Sequence, residues 1–114
     1  GIWEIEPHWV EEHLGAVTIL DVREASEFNG ALGHLPGAQL IPLGELSARI
    51  GEVPRDKPIV AVCRAGGRSA QATVLLGKAG VERIANLPGG MLRWRGLGLV
   101  TEGAGDDLPG AGPG

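Results

Sequence analysis

The single cysteine of this chain, Cys63, ends the apolar run Val60-Ala61-Val62 and is followed at once by Arg64-Ala65-Gly66-Gly67-Arg68-Ser69. A thiol attacks as its thiolate, and a free cysteine, with a pKa of about 8.5, is mostly protonated at neutral pH. Neighbouring arginines and the unpaired N–H groups of a helix start both favour the anion. The residues after Cys63 supply both. Arg64 and Arg68 bring guanidinium groups, and the helical pattern that opens near Ser69 points its free amides back at the loop. Gly66 and Gly67 permit positive φ, which turns successive amides inward into an anion-binding nest. Ser69 is the expected N-cap. The chemistry this spacing allows is nucleophilic attack by a stabilised thiolate. The competing interpretation, a buried structural cysteine before an ordinary turn, leaves two arginines and two glycines directly after the thiol without a purpose.

Such a thiol has to be delivered to the rim of a sheet. In parallel α/β sheets ligands bind beyond the carboxyl ends of the strands. Residues 59–62 read as a strand buried on both faces, and so does the run at 17–22, which leads into Asp21-Val22-Arg23. Asp21 and Cys63 are therefore expected on one rim. Residues 38–41 and 81–87 hold two further strands, and Trp3-Glu4-Ile5 an edge strand. Helical patterns fall between them. One opens at Pro7, with Trp9, Val10, His13 and Leu14 on one face, and a short one runs through Glu24 to Phe28. Leu43, Leu46 and Ile50 fit a third. A fourth runs from Ser69 to Ala79, packs through Ala72, Leu75, Leu76 and Ala79, and stops at Gly80. A closing helix begins at Met91 and carries Trp94 into the core. Strands alternating with helices predict an α/β fold: a small central parallel sheet of about five strands with helices on both faces. Residues 1–102 make one domain, and 103–114, rich in Gly and Pro, are expected as a flexible tail or linker.

Composition removes several function classes. A net charge of −4 gives no global support for nucleic-acid binding. No apolar run approaches the roughly 20 residues of a membrane-spanning helix. One cysteine cannot form an internal disulfide, which points to a reducing compartment and a cytoplasmic location. The chain starts with Gly rather than Met, as expected of a piece of a longer protein. His8, His13 and His34 have no second thiol to join them, and the first two lie five apart, off the spacing of one helix face. No metal site and no cofactor are expected.

Four segments, in order, resemble the rhodanese family of sulfurtransferases. Cys63-Arg64-Ala65-Gly66-Gly67-Arg68 is similar to the family loop C-R-x-G-x-R, and Asp21-Val22-Arg23 to its D-V-R motif. Gly33-His34-Leu35-Pro36-Gly37-Ala38 is similar to G-H-I-P-G-A, and Leu87-Pro88-Gly89-Gly90-Met91-Leu92-Arg93-Trp94 to L-x-G-G-x-x-x-W. The resemblance implies the rhodanese fold and a two-step transfer. Cys63 takes a sulfane sulfur from a small anionic donor, thiosulfate or a related persulfide or polysulfide, and becomes a persulfide. A thiol or cyanide acceptor then removes that sulfur. Cys63 is implied as the catalytic residue, Arg64, Ala65, Gly66, Gly67, Arg68 and Ser69 as the substrate-binding loop, and Asp21, Arg23 and His34 as supporting residues. Arg23 and Glu27 are expected to pair at i, i+4 on a short helix. Four residues separate Cys63 from Arg68, where the phosphatases of this fold use five, and the short loop disfavours phosphatase or arsenate-reductase chemistry. Asn29-Gly30-Ala31-Leu32 exceeds the two residues that many members carry there, which changes the shape of that rim. The alternative function is that of a rhodanese module in a larger protein, a sulfur carrier or a regulatory or docking domain with a fused or partner domain. Trp3 and Trp9 are expected to pack, with a place on a partner surface as the alternative for either.

Overall fold

The computed structural model describes residues 2–103. Four strands, β1 (Thr18–Asp21), β2 (Gln39–Leu40), β3 (Ile59–Val62) and β4 (Ile84–Asn86), pair in parallel in the order β2-β1-β3-β4. The helices are α1 (Pro7–Glu12), α2 (Ala25–Phe28), α3 (Leu43–Leu46), α4 (Gly67–Lys78) and α5 (Gly90–Gly96). β1 and β3 form the centre, and every residue of β3 is buried, as its unbroken apolar run requires.

Alternate side chains of a strand leave by opposite faces, and here they feed two cores. Leu20, Ile59 and Ala61 join the cluster under α3 and α4, with Leu46, Ala72 and Leu76. Ile19, Val60 and Val62 join the cluster under α1 and α5, with Val10, Met91 and Trp94. Each fully buried Leu or Ile contributes about 1.5–3 kcal/mol relative to an exposed one. Trp94 is fully buried, and its indole N–H donates to the Val100 carbonyl at 2.8 Å, so its one polar atom is satisfied. The register pairs Asp21 with Val62. The residues that follow both strands therefore emerge side by side at the carboxyl rim.

Several expectations need correction. The sheet has four strands, not about five. Trp3-Glu4-Ile5 contributes one bridge, Glu4 to Asn86, held by Ile5 N–H to the Asn86 carbonyl at 3.1 Å and Asn86 N–H to the Trp3 carbonyl at 2.8 Å. Pro7 has no N–H to extend a ladder and opens α1 instead, which ends the pairing. α3 stops at Leu46, and Ile50 starts a separate 3-10 turn. On α4 the packing face is Ala72, Thr73 and Leu76, with Leu75 half-buried and Ala79 exposed. Gly80 follows the helix with φ of 94°, as expected of its stop. Val10 alone of the expected α1 face is fully buried. Trp9 is 40% exposed and stacks on His13, while Trp3 is 78% exposed and does not pack into the core. Among the described residues no helix is long and apolar enough to cross a membrane. The Gly/Pro-rich tail, from residue 104 on, lies outside the described residues.

Candidate active site

β3 carries Cys63 to the carboxyl rim, and the chain then curls around its sulfur. The turn depends on Gly66, whose φ of 110° is costly for any residue with a Cβ. In that conformation the Gly66 N–H donates to Cys63 Sγ at 3.0 Å. α4 starts on the next residue, Gly67, so Ser69 sits in its first turn rather than at the N-cap, which is Gly66. The two glycines let the helix begin two residues before the expected Ser69 start. Ser69 is fully buried, and its Oγ lies 3.2 Å from Sγ.

Cys63 is itself 1% exposed. Burial pushes the thiol up, because it penalises the anion. The Ser69 hydroxyl and the backbone amides of Ser69, Gly66 and Ala65 outweigh that penalty, and the thiol ends below its ordinary value. The ring of main-chain nitrogens thus faces the sulfur, as the sequence pattern of the loop requires.

Asn86, at the end of β4, underpins this ring. Ser69 Oγ also lies 2.5 Å from its Oδ1, an alternative acceptor for the single hydroxyl proton, and its Nδ2 donates to the Gly66 carbonyl at 3.3 Å. The first turn of α5 holds the other side. Met91 N–H donates to the Cys63 carbonyl at 2.9 Å and Leu92 N–H to the Arg64 carbonyl at 3.0 Å. That approach needs Gly90, at φ 54°, since a Cβ there would fall 2.6 Å from the Arg64 carbonyl oxygen. The Leu87-Pro88-Gly89-Gly90 motif therefore seats a helix start on the backbone of the thiol loop. Neither Asn86 nor Gly90 was singled out from the sequence as a site residue. A polar residue closing an otherwise apolar strand is the signal that points to Asn86.

The two loop arginines have different roles. Arg68 forms a two-pronged pair with Glu27, at 2.7 and 2.8 Å. That guanidinium holds the Glu27 carboxyl down at about 2. Arg64 is exposed, and its guanidinium has no hydrogen-bond or carboxylate partner among the described residues. Ala65 is exposed as well and enters through its amide.

Asp21 and Arg23 are both buried and paired to each other. Arg23 Nε donates to Asp21 Oδ1 at 2.9 Å and Nη2 to Oδ2 at 2.8 Å. Nη2 also reaches the Gly33 carbonyl at 2.7 Å and Nη1 the Glu27 carbonyl at 3.2 Å. The expected Arg23–Glu27 side-chain pair does not form. Glu24 is the N-cap of α2, so Arg23 lies before the helix and the i, i+4 geometry does not apply. Arg23 instead ties β1 to the loop that precedes β2. His34 stacks on Phe28 with ring centroids 3.7 Å apart, and its Nδ1 is 3.0 Å from the Phe28 carbonyl oxygen. It braces that loop. Among the described residues no three His, Cys, Asp or Glu side chains are grouped to hold a metal ion.

A profile of the Rhodanese-like domain matches residues 6–97. A protein named "Sulfurtransferase" from Allochromatium vinosum is 37% identical over 83 residues, 73% of this chain and 76% of that protein. YqhL of Bacillus subtilis is 44% identical over 78 residues, 68% of this chain but 60% of that protein. The HTH-type transcriptional regulator Rv0324 of Mycobacterium tuberculosis is 42% identical over 93 residues, 79% of this chain and only 40% of the regulator. The crystal structure of a rhodanese-related protein from Thermoplasma volcanium superposes with a TM-score of 0.79 at 32% identity, covering 86% of this chain and 95% of that one.

Proposed function

Because the chain belongs to the rhodanese-like domain family, we propose that it is a sulfurtransferase that carries a sulfane sulfur as a persulfide on Cys63. The observation that carries this is the Gly66 N–H donating to Cys63 Sγ at 3.0 Å within a ring of amides that favours a thiolate. With thiosulfate as donor, the Cys63 thiolate attacks the outer sulfur. The Sγ–S bond forms, the donor's S–S bond breaks, and sulfite leaves with the electron pair. The charge moves one atom outward, to the terminal sulfur, where inward-facing amides can hold it. Cyanide or a thiolate then attacks that outer sulfur and returns Cys63 as thiolate. Arg64 is the cation open to an anionic donor, whereas Arg68 is engaged by Glu27 and serves chiefly to fix α4 against α2. The short span from Cys63 to Arg68 suits one added sulfur better than a tetrahedral phosphoryl group.

The test is intact mass after incubation with thiosulfate in the absence of reductant. The expected outcome is a gain of one sulfur atom that cyanide removes and that Cys63→Ser abolishes. An unchanged mass contradicts the proposal. The similarity to Rv0324, in which the matched segment is a minority of the chain, favours a second reading: a sulfur-carrying or regulatory module of a larger protein. In that case the persulfide forms, but turnover stays slow with every small acceptor.

A further inference from the structure

Between α2 and β2 the residues Gly30, Ala31 and Leu32 line an open cleft of about 360 Å³, together with Arg64, the residue directly after Cys63. Arg23 and Glu27 also line the cleft, but each is already neutralised, Arg23 by Asp21 and Glu27 by Arg68. Among the described residues Arg64 is left as the one charge of the lining without a partner, and the apolar Ala31 and Leu32 line the same cleft. A volume of this size lies in the range of pockets for small organic ligands. It far exceeds what a leaving sulfite of four heavy atoms occupies.

On the premise that the protein transfers sulfur, we propose that this cleft is the subsite for the organic half of a persulfide donor, a low-molecular-weight thiol bearing a carboxylate that pairs with Arg64. The Cys63 thiolate attacks the outer sulfur of R–S–SH. The Sγ–S bond forms, the R–S to S bond breaks, and R–S⁻ leaves with the electron pair into the cleft. The outer sulfur keeps its proton or releases it to water, and no external oxidant is needed. Sulfite, leaving from thiosulfate, makes no use of the Ala31 and Leu32 walls.

The experiment compares kcat/KM for glutathione persulfide, for the persulfide of glutathione diethyl ester, and for thiosulfate. The variants are Ala31→Trp, which fills the cleft from an exposed loop position, and Arg64→Gln. Ala31→Trp is expected to lower kcat/KM for glutathione persulfide about tenfold while thiosulfate changes less than about twofold. Arg64→Gln is expected to lower it about tenfold for the free acid and by less than about twofold for the ester. Equal rates for glutathione persulfide in wild type and Ala31→Trp, equal losses for all donors, or equal losses for acid and ester with Arg64→Gln overturn the subsite. If the wild type gains no sulfur from any donor, the premise of sulfur transfer has failed instead, and the mass measurement separates the two.

Discussion

The two rims of the sheet are built on opposite terms. At the carboxyl rim, polar side chains are buried: Asp21, Arg23, Ser69 and Asn86 are all at most 3% exposed. At the amino rim, the apolar side chains of Trp3 and Trp9 are exposed, and with the more buried Ile5, Val17 and Ile84 they edge a shallow groove beside the starts of β3 and β4. A buried polar group without a partner costs about 1–3 kcal/mol, more when charged. The carboxyl rim therefore holds together only as a completed network. Among the described residues no buried side-chain nitrogen or oxygen lacks a partner. The contrast shows where this fold tolerates change: the thiol loop is braced from four elements, whereas the Trp3-Glu4-Ile5 segment at the amino rim is held by two backbone hydrogen bonds and apolar contact.

The largest effect is expected where backbone meets backbone. Gly90→Ala puts a Cβ against the Cys63 and Arg64 carbonyls at a left-handed φ. The conformation alone costs about 1–3 kcal/mol, and the clash adds to it. Thermal unfolding should show a drop of several degrees, and persulfide formation on Cys63 should slow even in the fraction that folds. A variant as stable and as reactive as wild type would mean that α5 does not brace the loop.

Glu27→Gln comes next. Glu27 titrates near 2 in the folded chain against an ordinary 4.5, so the pair stabilises fully above about pH 4.5 and its contribution fades as pH falls towards 2. Both partners are about a third exposed, which limits the effect to about 0.5–1 kcal/mol. Denaturant unfolding at pH 7 should show that loss, and wild type and variant should converge at low pH. A gap that widens in acid would contradict the pairing.

The smallest effect belongs to the amino rim. Trp3→Ala removes a side chain that is 78% exposed and should change stability by no more than about 0.5 kcal/mol, with persulfide formation unaltered. A loss as large as that of Gly90→Ala would erase the difference between the two rims.

The same comparison explains what sequence alone revealed. The central strands were legible because runs such as residues 59–62 are apolar at every position, a pattern for which a half-exposed helix has no use. The thiol loop was legible because its residue types act locally: Gly66 sets the curl and the amides follow. Partners distant in the chain were not. Arg68 finds Glu27 41 residues away, and Ser69 finds Asn86 17 residues away, pairings that local spacing rules do not reach. The Arg23–Glu27 expectation failed for a related reason. The i, i+4 rule presumes a helix that starts before Arg23, and Glu24 caps α2 just after it.

The central claim is that hydrogen bonds around Cys63 outweigh the cost of its burial and lower the thiol's pKa, which favours the anion. The pH dependence of Cys63 alkylation by iodoacetamide measures this directly. The account predicts a midpoint below that of an unperturbed cysteine, about 8.5, with an upward shift in Ser69→Ala. A midpoint at or above 8.5 in the wild-type chain would show that burial wins, and that the amide ring does not stabilise a thiolate.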